Sequence, residues 1–333
     1  MHRAEYWHLE GDGSIRCELC PHACRLTDGR SGLCRVRRAE GGALSAIGYG
    51  QLSSMHVDPI EKKPLYHFYP GSQILSIGGW GCNFRCGFCQ NWSISQQVLD
   101  EGTEVRPEAL VAEARRTGSV GIAYTYNEPC IAFEYVRDCA RLAREAGLVN
   151  VIVTNGFINP EPAESLLKWV DAANIDVKSM QESFYHEQCG GSLAPVLAFA
   201  CQAQAAGCHV EVTNLVIPGL NDDDEAFCAL SEWMKKSLGR GVPLHLSGYY
   251  PQYKMDRPAT PSVALEHAHD LCRAHLDHVY IGNVRTAEGR DTRCSNCGAT
   301  QVSRQGYTVQ VIGIDEGHCT SCGKRSDVVT AEK

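Results

Sequence analysis

Three cysteines in the segment GCNFRCGFCQN, residues 81 to 91, stand in the spacing CxxxCxxC as Cys82, Cys86 and Cys89. Four thiolates would close a metal shell, whereas three leave one iron of a four-iron, four-sulfur (4Fe-4S) cluster open to an external ligand. A zinc ion completed by a distant side chain is the competing chemistry. Two more sets carry similar potential. Cys17, Cys20, Cys24 and Cys34 offer four thiolates, which satisfy either zinc or a second iron-sulfur (Fe-S) cluster, with His22 able to replace one ligand. Cys294, Cys297, Cys319 and Cys322 form two CxxC pairs separated by 21 residues, close to the zinc-ribbon spacing that gives Zn a closed tetrahedral shell. The remaining seven cysteines lie singly among apolar residues, where the thiol packs as a small hydrophobe.

Repeated βα units must position these residues. QILSIGG, VGIAYTY, VNVIVTN, ANIDVK, HVEVTNLVI, VPLHLSGYY and HVYIGN read as buried parallel strands between residues 71 and 285. Helical stretches separate them. Pro107 opens one at 107 to 117, and Tyr135, Cys139 and Leu142 share one stripe of a second at 130 to 146. Asp222, Asp223, Asp224 and Glu225 suit the cap and first turn of a third. The pattern predicts an α/β fold, a partial or full (β/α) TIM-like barrel, with ligands at the C-terminal strand ends. Three parts are expected: a cysteine-rich N-terminal extension at 1–70, a core barrel at 71–289 and a zinc-ribbon-like C-terminal module at 290–333.

The 333-residue chain carries a net charge of -8, which gives no electrostatic reason to expect nucleic acid or an acidic membrane. Arg35, Arg37 and Arg38 read as a solvated face. The N-terminal segment lacks the apolar region of a secretory signal, and no run reaches the length of a membrane span. The expected setting is cytoplasmic, with thiols reduced and clustered for metal.

The CxxxCxxC spacing, with Phe88 before the last cysteine, resembles the radical S-adenosylmethionine (SAM) superfamily. In that family SAM binds the fourth iron through its amino and carboxylate groups. The reduced cluster then passes an electron to the sulfonium, which releases methionine and a 5'-deoxyadenosyl radical. The resemblance implies an external electron donor of flavodoxin or ferredoxin type. Glu128, in Tyr126-Asn127-Glu128-Pro129, matches the Gly-Gly-Glu-Pro segment that holds the SAM amino group, while Tyr126 and Asn127 replace its glycines. Asn155 in Thr154-Asn155-Gly156, Asp176 and Lys178 in Asp176-Val177-Lys178, and Val216-Ile217-Pro218-Gly219 resemble segments of glycyl-radical-enzyme activases, including pyruvate formate-lyase activating enzyme. Asn214 and His245 are expected to face the same mouth from later strands, although His245 also reads as a buried histidine bonded to backbone.

DPIEKKPLYHFYPG at 58 to 71, CQNWSISQ at 89 to 96 and CELCPHAC at 17 to 24 are similar to the AmmeMemoRadiSam-type branch of that superfamily. That similarity implies Memo-like and AMME-syndrome-type proteins as partners. The expected function is a radical SAM enzyme that takes hydrogen from a substrate of its own. The rival readings are a glycyl-radical-enzyme activase and a non-catalytic metal-dependent interaction protein.

Overall fold

The computed structural model describes residues 2–97 and 102–330. Their central sheet has eight strands: β1 (Ser54–Pro59), β2 (Gln73–Gly78), β3 (Gly121–Tyr124), β4 (Val149–Thr154), β5 (Ala172–Asp176), β6 (His209–Val216), β7 (Leu244–Gly248) and β8 (Val279–Gly282). Strands β2 to β8 pair in parallel and in sequence order, and β1 adds antiparallel to the outer edge of β2. The row runs from β1 to β8 without joining its two edges, so the barrel is partial. The seven strands read from the sequence are the seven parallel ones. Strand β1 lies within the expected 1–70 extension yet is hydrogen-bonded into the central sheet.

Apolar strands are buried on both faces because helices cover the sheet outside and side chains fill it inside. Strand β3 is buried along its whole length. Its Gly121 permits close strand contact, since a Cβ there would fall 1.9 Å from the carbonyl oxygen of Val149. The helices α1 (Pro107–Arg116), α2 (Phe133–Glu145), α3 (Pro160–Leu167), α4 (Leu193–Ala205), α5 (Asp224–Ser237) and α6 (Ser262–Arg273) alternate with the strands. Proline occupies the start of α1, as read from the sequence. Tyr135 and Cys139 point α2 into the core. Asp223 caps α5 by accepting the Ala226 N–H at 2.7 Å.

The N-terminal extension forms two small antiparallel sheets, one from His2–Arg3, Ala43–Ala46 and Arg37–Glu40, the other from Trp7–Leu9, Ile15–Cys17 and Arg25–Leu26. Ile15, Leu19, Leu26 and Leu44 join the same apolar core as the barrel. Arg37 corrects the expectation of a solvated basic face: its side chain is 1% exposed and pairs with the equally buried Glu134 of α2 at 2.9 Å. A charge inserted this deeply requires such a partner.

The C-terminal strands β9 (Thr292–Arg293), β10 (Thr300–Gln305) and β11 (Thr308–Val311) form a small antiparallel sheet. Arg304 ties it to the barrel: Nη2 donates to the Tyr66 carbonyl at 2.6 Å, and the guanidinium lies 4.3 Å from the Tyr66 ring centroid. Val329 donates its N–H to His67 and accepts from the Tyr69 N–H. Among the described residues, no helix is long and apolar enough to cross a membrane.

Candidate functional site

A cavity of about 940 Å³ opens at the C-terminal ends of the parallel strands. Cys82, Cys86 and Cys89 reach it from the loop after β2, Asn127 and Glu128 from the loop after β3, and Asn155 from the end of β4. Asp176, Lys178 and His245 line it from β5 and β7, and Phe88 completes the cysteine wall. The arrangement follows from the βα repeat, which delivers successive strand ends to one rim.

Two of the three sulfurs have hydrogen-bond donors beside them. Phe84 N–H lies 3.3 Å and Asn155 Nδ2 3.7 Å from Cys82 Sγ, while Ser95 Oγ lies 3.1 Å from Cys89 Sγ. Burial raises the Cys82 and Cys89 thiols above their ordinary range, and the neighbouring Cys189 thiol, together with burial, raises Cys86. Deprotonated sulfurs in such a place need a metal's positive charge, which these donors then support from outside. Three thiols on one wall, Cys86 buried and Cys82 and Cys89 half-buried, fit a 4Fe-4S cluster.

Glu128 is buried among protein donors. Its Oε1 accepts from the Cys130 N–H at 2.9 Å and from Thr154 Oγ1 at 2.7 Å, and its Oε2 accepts from the Asn155 N–H at 2.8 Å. Burial still raises its carboxyl above the usual range. The two residues before it explain how this sequence dispenses with glycines. Tyr126 itself takes the left-handed conformation, with φ of 67°. Asn127 bridges the loop by accepting from the Gly79 N–H at 3.0 Å and donating to the Gly81 carbonyl at 2.9 Å. Lys178 pairs with Asp176 at 2.9 Å and sits 5.9 Å from the Phe88 ring centroid.

Two expected residues behave differently. Asn214 stays out of the cavity lining, and its Nδ2 donates to the Val177 and Lys178 carbonyls. His245 does line it, but its Nε2 donates to the Glu211 carboxylate at 2.7 Å rather than to backbone. Glu211 is fully buried and also accepts from the Tyr66 and His67 N–H groups and from His209. Burial pushes its carboxyl up, but His209 and His245 together hold it well below the usual range.

Sequence reasoning takes residues 51 to 71 as a candidate cover of the barrel mouth but names none of the polar groups that β1 and the turn after it bring to the cavity. Lys63 donates to Asp58 at 2.8 Å, Tyr126 donates to the same oxygen at 2.5 Å, and the Lys63 ammonium lies 4.6 Å from the Tyr126 ring centroid. Glu61 and Tyr307 line the same cavity. The only sequence signal was the stretch DPIEKKP, whose charges have no periodicity that assigns them to an interior wall.

At the C-terminal module the four sulfurs of Cys294, Cys297, Cys319 and Cys322 lie within 4.8 Å of one another. Cys294 and Cys322 are 3.7 Å apart, as are Cys297 and Cys319. A tetrahedral ion with Zn–S bonds of about 2.3 Å separates its sulfurs by roughly 3.8 Å, so the set fits Zn. Among the described residues, no other group of three or more metal-ligating side chains is gathered so tightly.

Residues 77–230 match the family described as the Radical SAM superfamily. The chain is 42% identical to an uncharacterized protein of Methanocaldococcus jannaschii, over 99% of this chain and 100% of that protein. It is 27% identical to the pyruvate formate-lyase 1-activating enzyme of Escherichia coli K12, over 54% of this chain and 75% of the enzyme. A radical SAM methyltransferase from Sphaerobacter thermophilus superposes with a TM-score of 0.52 at 16% identity, over 70% of this chain and 72% of the methyltransferase, a likeness of fold. An α/β enzyme with a partial barrel and a cavity at its strand ends is thus the class. The chain belongs to the radical SAM superfamily, as a relative of pyruvate formate-lyase activating enzymes. Membership implies a 4Fe-4S cluster and SAM, and it does not favour the reading of a non-catalytic interaction protein.

Proposed function

We propose that Cys82, Cys86 and Cys89 hold three irons of a 4Fe-4S cluster and that the chain cleaves SAM reductively to modify a substrate of its own. The observation that carries this reading is the meeting of Cys82, Cys86 and Cys89 with Glu128 and Asn155 on one cavity wall. When bound, the cluster supplies one electron to the SAM sulfonium, giving methionine and a 5'-deoxyadenosyl radical that takes hydrogen from the substrate. Glu128 accepts the SAM ammonium group with the capacity left after its three protein donors, since a carboxylate offers about four acceptor sites. Asn127 fixes the loop that carries Cys82 by bonding to both Gly79 and Gly81. Phe88, Asp176 and Lys178 form the adjoining wall and exclude water from the reacting atoms. Asn214 acts from behind, by holding the backbone of Val177 and Lys178.

The four C-terminal cysteines hold one zinc ion and thereby fix the small sheet that contributes Tyr307 to the cavity. The parts 1–70, 71–289 and 290–333 divide the work into extension, barrel and zinc module. The enzyme works in a reducing cytoplasm with a flavodoxin or ferredoxin as donor, and its AmmeMemoRadiSam-type segments support Memo-like and AMME-syndrome-type proteins as partners. The test is anaerobic reconstitution, dithionite reduction and electron paramagnetic resonance (EPR) with and without SAM, followed by chromatography for 5'-deoxyadenosine. A SAM-altered signal with deoxyadenosine is expected. Replacing Cys86 with Ala should abolish cleavage, and cleavage retained by that variant with an unchanged cluster spectrum would refute the assignment.

A further inference from the structure

Cys17, Cys20, Cys24 and Cys34 come together from separate parts of the N-terminal extension, and Cys17 and Cys34 are buried there. No three of their sulfurs lie within the 4.8 Å that the C-terminal set achieves. A single zinc ion draws its sulfurs to roughly 3.8 Å, whereas thiolates bound to different irons of one cluster stand farther apart. Neither this set nor Cys82, Cys86 and Cys89 gathers three sulfurs that tightly. Nor does the extension need an ion as a staple, because it already has a buried apolar core and the Arg37–Glu134 pair.

Its contacts run to the barrel cysteines. His22, two residues after Cys20, donates from Nε2 to the Asn83 carbonyl at 2.7 Å, which occupies that nitrogen and sets the ring beside the residue that follows Cys82. Gly81 lies so close to the Cys34 carbonyl that a Cβ would fall 2.1 Å from its oxygen. Arg85 bridges the same seam, donating to the Cys82 carbonyl at 2.9 Å and to the Leu33 carbonyl. The two cysteine loops thus touch through His22, Cys34 and Arg85.

We infer that these four cysteines bind a second iron-sulfur cluster that relays electrons to the barrel cluster, an inference whose relay step rests on the function proposed above. The reduced N-terminal cluster gives one electron to the oxidised barrel cluster and becomes oxidised. A low-potential one-electron donor of flavodoxin or ferredoxin type then restores it. No residue of the segment 2–55 lines the cavity, so the electron enters from outside the opening that takes substrate.

The test compares wild type with the variant in which Cys82, Cys86 and Cys89 are all Ala, each reconstituted anaerobically with iron and sulfide. Metal and sulfide are counted, and EPR spectra are recorded after dithionite with and without SAM. The triple variant should retain roughly two to four irons with matching sulfide, and a reduced-cluster signal indifferent to SAM. A triple variant with no iron and about two zinc ions would overturn the second cluster. Wild type with a single SAM-responsive cluster would leave the proposed function standing and sink this inference alone. The reverse result, iron unchanged between wild type and triple variant, would uphold the N-terminal cluster and refute the barrel ligands. Cys20→Ala with Cys24→Ala, which removes the N-terminal cluster and leaves the barrel ligands in place, should slow reduction of the barrel cluster by flavodoxin at least tenfold; an unchanged rate would overturn the relay.

Discussion

Arg37 and Glu134, both fully buried, join the N-terminal extension to helix α2 through a 2.9 Å ion pair. Arg37 also donates to the Glu5 carbonyl, and the Glu5 N–H donates to Glu134 at 2.8 Å. Removing one partner strands the other charge in a dry interior. Glu134→Ala should therefore destabilise the chain by about 3–5 kcal/mol, measured by denaturant titration. The double replacement Arg37→Met with Glu134→Leu should recover most of that loss. A double variant as unstable as the single would show that the hydrogen bonds to Glu5, rather than the unpaired charge, set the cost.

Ser95 Oγ is 3.1 Å from Cys89 Sγ, close enough to donate to a thiolate. Hydrogen bonds to cluster sulfurs favour the reduced state, and their loss lowers the potential. Ser95→Ala should make the barrel cluster harder to reduce, by on the order of tens of millivolts. Potentiometric titration followed by EPR measures this directly. No shift would mean that the hydroxyl donates elsewhere.

Glu61 carries the clearest pH dependence on the cavity wall. Burial raises its carboxyl above the ordinary value of 4.5, while the Gly71 N–H, at 2.7 Å, partly offsets the shift. A carboxyl raised in the folded state contributes stability that is complete below its unfolded value and lost as pH rises through the folded one. Glu61→Gln keeps an acceptor for Gly71 without the charge. It should raise the melting temperature at pH 8 and leave it little changed at pH 4.5 or below. Equal gains at both values would assign the effect to packing.

The C-terminal cysteines sit far from the barrel set in sequence and hold a different spacing, so their metal should be separable. Cys297→Ser should lower zinc content by about one ion without changing iron. Because Arg304 and Tyr307 belong to the same small sheet, the loss should also loosen the contact at Tyr66 and the cavity wall. Hydrogen exchange at residues 64–69 should increase in that variant. Protection there equal to wild type would show that the sheet stands without its metal.

Local pattern determined much of this protein. The strands were legible because a parallel sheet buried on both faces demands unbroken apolar runs, and the glycines, prolines and acidic caps between them marked the turns. The barrel cysteines were legible because a short loop fixes their spacing whatever the rest of the chain does. Tertiary structure decided what depends on distant partners. Arg37 belongs to a basic stretch in sequence, but Glu134, 97 positions away, makes it a core residue. Asp58, Lys63 and Glu61 became a cavity wall only because β1 adds to the edge of β2. His245 found Glu211 where backbone was expected, and Tyr126 took a glycine's conformation that no residue type announced. Spacing along the chain can propose four ligands, but only the tertiary structure gathers the sulfurs of Cys294, Cys297, Cys319 and Cys322 within reach of one ion.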